Sequence, residues 1–332
     1  MNLGFWSKLK IPFTVLAPMA NVTDFAFRQI VTKCGRPDVF YTEFISCDGI
    51  INAGKDKFAG ELYHEKSESP IVVQFFGANP ENFYKCAQLA KELGYDGIDV
   101  NMGCPDKSVE KQGGGAALIK NPKLAQELIQ AAKEGGGSLP ISVKTRLGYN
   151  KIETEDWIPK LLETGLAALS IHGRTRKEMS KVPAHWDEIA KAKKIALAKD
   201  TETLIIGNGD VKDMDNLEQK AIEYNLDGIM VGRGIFDNPW FFSGREVNSP
   251  KERIELMIEH INNFEKLWGP NPEKPLCGLG ASKNYDVLKR FFKIYISGWP
   301  GAKELRTEIM ATKSGQEVKN IVDLYLKNNM LY

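Results

Sequence analysis

Eight short runs of β-branched and apolar residues recur along the chain, at 14–17, 39–42, 71–75, 97–101, 141–145, 168–171, 203–206 and 228–231. Each is bounded by turn residues and followed by a segment with apolar positions at helical spacing, a pattern that predicts strand then helix. The segments 79–93, 122–133 and 213–224 read as helices, with Asn79 or Asp213 as caps and Pro80 or Pro122 in a first turn. Eight such units predict a closed (β/α)8 TIM barrel, with an open doubly wound sheet as the competing arrangement.

After Pro250 the strand signal stops and only helical spacing remains: 251–268, a Pro/Gly stretch at 269–280, then three further helical patterns. In 285–296 the apolar Val287, Leu288, Phe291, Phe292 and Tyr295 fall on one side, leaving Lys289, Arg290 and Lys293 on the other. Ala302, Leu305 and Ile309 mark the next helix, and Val318, Ile321, Val322 and Tyr325 the last. The chain is expected to divide into a barrel domain over 1–245 and a small all-α helical-bundle domain over 246–332, because one core stops growing near about 250–300 residues.

Composition changes this picture little. At 42% apolar and 26% charged the chain is ordinary for a soluble protein, and no run approaches the ~18 apolar residues of a membrane span. The N-terminal MNLGFWSKLKIPF lacks the succession of a signal peptide, so a cytoplasmic location is expected. The five cysteines are odd in number, scattered and without a C-x-x-C pair, which argues against a disulfide framework and against a metal site. Charge is more informative in its distribution than in its total of +1. Residues 283–332 hold nine Lys/Arg against five Asp/Glu (+4), leaving 35 against 38 (−3) for residues 1–282.

The C-terminal ends of the strands carry a barrel's chemistry, and here they are polar and cationic. They read Ala17-Pro18-Met19-Ala20, Gln74, Asn101-Met102-Gly103-Cys104-Pro105, Lys144-Thr145-Arg146, His172-Gly173-Arg174-Thr175-Arg176, Gly207-Asn208-Gly209-Asp210 and Gly232-Arg233-Gly234. Turns after the seventh and eighth strands are common phosphate sites, where glycine exposes main-chain N–H groups, and Arg233 would add a charged contact. A phosphate there, Lys144 and His172 aimed at the barrel axis and a small-residue first strand together suit FMN. Taken singly, each of these features has a plainer explanation: a turn, a solvated lysine, a structural histidine. Their weight lies in falling at corresponding strand ends.

Asn101-Met102-Gly103-Cys104-Pro105, followed by Val109, Gly113 and Gly115-Ala116, resembles the signature of the tRNA-dihydrouridine synthases. APMANVTDFAFR (17–28), YTEFIS (41–46), VKTRLGY (143–149), IHGRTR (171–176), IGNGDV (206–211) and IMVGRG (229–234) resemble the family's other blocks in the same order. The looser tail motif of Gly301-Ala302, Leu305-Arg306 and Glu317-Val318 resembles its helical RNA-binding domain, so the likeness runs from residue 13 to about 325.

The resemblance implies that NADPH reduces a tightly bound FMN, that the flavin delivers hydride to C6 of a uracil in tRNA, and that Cys104 protonates C5. A thiol near its usual pKa of ~8.5 is still protonated at neutral pH and can donate. By the same carry-over Ala17, Pro18, Met19, Gln74, Lys144 and His172 lie along the ring, and Asn208, Gly209, Asp210, Gly232 and Arg233 near the phosphate. Asn101 and Arg146 hold the uracil. Arg174 and Arg176 serve the nearby RNA, which must give up a stacked base at a cost of a few kcal/mol; the tail cations Lys289, Arg290, Lys293, Lys303 and Arg306 can supply that energy by neutralising phosphates, the plainer reading being a solvated helix face. Cys47, just after the second strand, is the one other thiol expected near the mouth. The glycine run 113–115 is read as the hinge of the Cys104 loop. One tRNA per monomer is the simplest stoichiometry.

Two segments depart from the family pattern. Glu178 stands where Gln is usual after Arg-Thr-Arg-x, and KVPAHW (181–186) replaces Gly-x-Ala-Asp-Trp. Three other readings remain: an FMN barrel reducing a small molecule, in the manner of a dihydroorotate dehydrogenase; an inactive tRNA-binding protein; and a phosphate-ester lyase or isomerase. The first gives no reason for the basic tail, the second none for Cys104, Lys144 and His172 together, and the third none for Cys104.

Overall fold

The computed structural model describes residues 2–269 and 283–329. Cys277 and most of the Pro/Gly stretch lie outside them. Eight parallel strands, β1 (Phe13–Leu16), β2 (Phe40–Ser46), β3 (Ile71–Phe76), β4 (Gly97–Met102), β5 (Ile141–Arg146), β6 (Ala168–His172), β7 (Leu204–Asn208) and β8 (Gly228–Val231), form one sheet in the order β1-β8-β7-β6-β5-β4-β3-β2. The two ends of that order meet: Val15 bridges Val39, with Leu16 N donating to Val39 O and Val39 N to Thr14 O, each at 3.1 Å. The sheet therefore curls into a (β/α)8 barrel rather than an open doubly wound sheet.

The helices are α1 (Phe25–Gly35), α2 (Cys47–Ala53), α3 (Ala59–Leu62), α4 (Pro80–Glu92), α5 (Lys107–Lys111), α6 (Pro122–Gly136), α7 (Thr154–Leu162), α8 (Trp186–Ala198), α9 (Met214–Glu223), α10 (Pro250–Trp268), α11 (Phe292–Tyr295), α12 (Ala302–Met310) and α13 (Gly315–Asn328). The sequence caps do their expected work. Asn79 accepts from the main-chain N–H groups of Glu81 and Asn82, and Asp213 from that of Asn216.

Two apolar layers hold the barrel. The strands' outer faces pack against α1 to α9, while inside, Phe13, Val15, Val39, Tyr41, Val72, Ala168 and Ile206 fill the barrel beneath the cavity, whose lining Met230 joins. Trp6, buried and 5.5 Å from the ring of Phe13, closes the N-terminal end. The floor is thus dry and packed, and polar groups enter the interior only from the middle layer upward.

The C-terminal helices dock on α1. Phe27 lies 4.9 Å from the ring of Phe291 and 5.5 Å from that of His260 on α10. Residues 285–296 are a correction to the sequence reading, since Tyr285–Phe291 forms a 3-10 helix and only Phe292–Tyr295 an α-helix. Leu288, Phe291 and Ile294 are all buried, and a three-residue turn sets that spacing in line against the barrel. Among the described residues no helix is long and apolar enough to cross a membrane.

Candidate active site

A cavity of about 840 Å³ opens at the C-terminal ends of β5 to β8, lined among others by Ala17, Pro18, Met19, Lys144, Arg146 and His172. Arg174, Asn208, Gly209, Asp210, Gly232 and Arg233 complete the wall that concerns the chemistry. Strand register explains the convergence. Lys144 pairs with Asn101 on one side and Ser170 on the other, and one layer higher Arg146 meets His172, which meets Asn208.

Lys144 Nζ donates to Asn208 Oδ1 at 3.2 Å, and burial together with the Arg146 charge lowers its pKa to about 8. Burial and the cations Arg146, Lys144, Arg174 and Arg233 hold His172 well below its ordinary value, so the ring is neutral. Its Nε2 faces Arg174 Nη1 at 3.1 Å. A guanidinium can only donate, so Nε2 accepts and the ring proton sits on Nδ1.

The wall fits an anionic, flat cofactor. Gly209 has φ +135°, and a Cβ there would sit 2.8 Å from that of Ala184, so only glycine fits the turn after β7. Gly232 is different: its φ is −108°, and a Cβ would meet Ala17 and Met19 only at 3.7 and 3.9 Å. Packing does not require glycine there, yet its missing side chain leaves room in the cavity between β8 and the first strand. Lys144, Arg146, Arg174, Lys212 and Arg233 outnumber Asp210 and Asp237 in the lining, which suits a phosphate and a ring that gains negative charge.

Cys104 lies on the rim beside Pro105, which lines the cavity, and is half-buried. Its N–H donates to Asn101 Oδ1 at 2.9 Å, and its carbonyl accepts from Ala116 N at 2.9 Å. Gly115, at φ +59°, makes that closure possible, since a Cβ would lie 2.6 Å from the Cys104 carbonyl oxygen. The glycine run is therefore the tight closing turn of the loop. Burial raises the thiol's pKa despite Arg146 and Lys144.

Several sequence-predicted residues have other neighbours. Gln74 is fully buried a layer below Lys144 and absent from the cavity wall, donating to Asp99 Oδ2 at 2.7 Å and accepting from Asn101 Nδ2 at 2.8 Å. Asn101 uses its oxygen on the main-chain N–H groups of Gly103 and Cys104, which leaves it one amide hydrogen. Arg146 donates to the carbonyls of Gly103, Thr175 and Met179, and its Nη2 has no partner among the described residues. Asp210 pairs with Arg174 and, at 3.4 Å, with Arg233, so it aims cations and has no donor for a phosphate.

Arg176 is paired with Glu110, outside the cavity wall. In the tail Lys289 pairs with Asp286 at 2.7 Å, Arg306 Nη1 donates to Ile296 O at 2.6 Å and Arg290 Nη1 to Ala20 O at 3.4 Å, while Lys293 and Lys303 are exposed without an ion pair among the described residues. Cys47 is not at the mouth: it is fully buried beside Cys86, and burial pushes its thiol well above the ordinary range.

The sequence reading missed Asp99. It is fully buried inside the barrel, accepts from Ser142 Oγ at 2.6 Å as well as from Gln74, and burial lifts its pKa to about 6. Its one signal was an acid inside an apolar strand, GIDVNM.

Among solved structures, the complex of 2-naphthoyl-CoA reductase with 2-naphthoyl-CoA shares the fold at a TM-score of 0.53 and 12% identity, over 71% of this chain and 51% of that one. Sequence comparison reaches further. A probable tRNA-dihydrouridine synthase 2 of Bacillus subtilis is 45% identical over 326 residues, 97% of each chain. A probable tRNA-dihydrouridine synthase of Staphylococcus epidermidis is 42% identical over 328 residues, 98% of this chain and 97% of that one. Residues 15–330, from the first strand through the last helix, match the family described as dihydrouridine synthase (Dus), and to that family this chain belongs.

Proposed function

We propose that this chain is a flavin-dependent tRNA-dihydrouridine synthase, reducing a uracil C5–C6 double bond in tRNA with FMN as bound cofactor and NADPH as reductant. The observation that carries the reading is the setting of Cys104: a half-buried thiol with its main chain held on both sides, on the rim of a cationic, glycine-walled cavity. FMN held there would supply the hydride for C6.

The chain's own residues do the rest. The Gly209 and Gly232 turns with Arg233 would hold the phosphate, and Lys144 would face the ring and balance its added negative charge. Arg146, with Nη2 to spare, is placed to hold a uracil carbonyl. Cys104 donates its proton to C5 and is left a thiolate, which the charges of Arg146 and Lys144 stabilise until solvent returns a proton. Asp210 keeps Arg174 and Arg233 directed, and Gln74 with Asn101 supports the loop from below.

RNA would rest on the helical tail from 246 onward and on the opposite rim. Six lysines in the loops after β4, β5 and β6 (Lys107, Lys111, Lys120, Lys151, Lys177 and Lys181) are exposed with no ion pair among the described residues. Three acids of those loops are engaged by the protein, Glu110 by Arg176, Glu153 by Tyr149 N and Glu178 by Thr175 and His185, while the exposed Asp106 accepts from Ser108. Such a surface suits phosphates.

The test is direct. Purified protein should be yellow and should form dihydrouridine on unmodified tRNA with NADPH. Cys104→Ala should keep flavin and NADPH oxidation and lose turnover on RNA. A protein that cannot take up FMN sinks the reading, and persistent turnover in the variant sinks the acid assignment.

A further inference from the structure

We infer that Glu110 and Arg176 form a latch that positions the Cys104 loop, an inference that rests on the acid role proposed for Cys104. The loop is fixed at its base, where Asn101 and Ala116 bind the Cys104 main chain and Arg146 Nε donates to Gly103 O at 2.7 Å. Its far side is α5. There Val109 is buried, and the one ion pair of α5 among the described residues joins Glu110 to Arg176.

The pair is closely made. Arg176 Nε lies 3.0 Å from both Glu110 oxygens, and Nη2 donates to Oε2 as well. The two side chains are 26% and 11% exposed, so water screens them less than it does a surface pair. Arg176 is itself immobilised: its N–H donates to Gly148 O at 2.9 Å, and its guanidinium lies 5.4 Å from the centre of the Tyr149 ring. The loop after β6, which also carries Arg174 and follows directly on His172, thus grips the loop that carries the thiol.

This assigns Arg176 to a protein partner rather than to RNA, since Nε and Nη2 are both spent on Glu110. Cys104 must meet C5 from the face away from the hydride donor, and an acid displaced by an ångström loses much of its effect. A latch 66 residues away in sequence, made of one carboxylate and one guanidinium, removes that freedom.

The experiment uses Glu110→Gln and the charge swap Glu110→Arg with Arg176→Glu, each first matched to wild type in unfolding midpoint. Two quantities are read: kcat and KM for dihydrouridine formation on unmodified tRNA, and the rate at which iodoacetamide alkylates Cys104, followed by peptide mass spectrometry with the buried Cys34, Cys47 and Cys86 as internal references. Glu110→Gln should lower kcat by roughly 10- to 100-fold with little change in KM, the scale of a misplaced group, and should raise Cys104 alkylation several-fold. The swap should recover part of both.

Unchanged kcat and alkylation in Glu110→Gln would overturn the latch. So would a change confined to KM, which would return Arg176 to the RNA. If no dihydrouridine forms even in wild type, the function proposed above fails, while the alkylation rates still decide whether the latch holds the loop.

Discussion

His185 Nε2 lies 2.9 Å from Glu178 Oε1, so one residue from each of the two segments set apart in the sequence is in contact with the other. Where Gln and Asp are usual, the chain carries a Glu and a His that face one another across the loop after β6. Glu178 also accepts from Thr175 N at 2.7 Å and Oγ1 at 3.0 Å. Burial works against its charge, but these donors outweigh it and hold the carboxyl below its ordinary pKa. The two side chains thus tie the two ends of the loop after β6 to each other.

A double-mutant cycle tests the exchange. Glu178→Gln and His185→Asp should each lower stability, and the double variant should lose less than the sum. The coupling expected is about 0.2–1 kcal/mol, the range of partly exposed ion pairs. Urea unfolding is the measurement; strict additivity would mean that the contact contributes nothing to folding.

Gly232 separates the fold from the site. A Cβ at Gly232 would find only ordinary contacts, so Gly232→Leu is to be compared with wild type after its melting temperature has been matched. The added side chain would occupy the cavity beside Ala17 and Met19. FMN affinity should fall by at least about tenfold, equivalent to ~1.4 kcal/mol, measured by flavin fluorescence quenching. Normal binding would move the cofactor away from β8.

The rim lysines make a prediction about salt. If Lys107, Lys111 and Lys177 neutralise RNA phosphates, changing all three to Ala should weaken tRNA binding at every tRNA tested. The slope of log Kd against log salt should also become shallower, by roughly 0.7–0.9 for each phosphate that is no longer neutralised. Filter binding between low and moderate salt reads both. Weaker binding with an unchanged slope would make these lysines structural.

The barrel was legible because parallel strands covered on both faces read as apolar runs between turns. Its strand ends were less so. Arg146, His172 and Asn208 belong to β5, β6 and β7, but polarity there looks like the start of a loop. Cys104, Lys144 and His172 could be singled out because their residue types carry chemistry at strand ends. Partners could not. Nothing near Arg176 announces Glu110, nothing in the tail announces that Arg306 is spent on the Ile296 carbonyl, and the pairing of Glu178 with His185 turns two apparent irregularities into one. The tail's amphipathic spacing was visible, while its 3-10 geometry came from packing against Phe27 and Phe236.

His260 sets an acid limit on the docking of the helical tail. It is 1% exposed between Phe27 and Phe291, its Nδ1 shares a hydrogen bond with Tyr295 Oη at 3.0 Å, and its Nε2 has no partner among the described residues. Burial lowers its pKa from 6.5 to about 4, so the folded chain binds fewer protons there than the unfolded chain does. The stability tied to this group is complete above about pH 6.5 and is lost as pH falls towards 4. Its full size is on the order of 3 kcal/mol, because each tenfold change in proton affinity is worth ~1.4 kcal/mol. His64 and His172 are lowered too and tilt the same limb, so the difference between proteins is the quantity to read. His260→Gln keeps a polar group for Tyr295 but cannot titrate. Urea unfolding from pH 7.5 to 4 should show the variant losing about 3 kcal/mol less than wild type across that range. Parallel curves would mean that water reaches Nε2 and that the aromatic contacts with α1 do not seal this helix face.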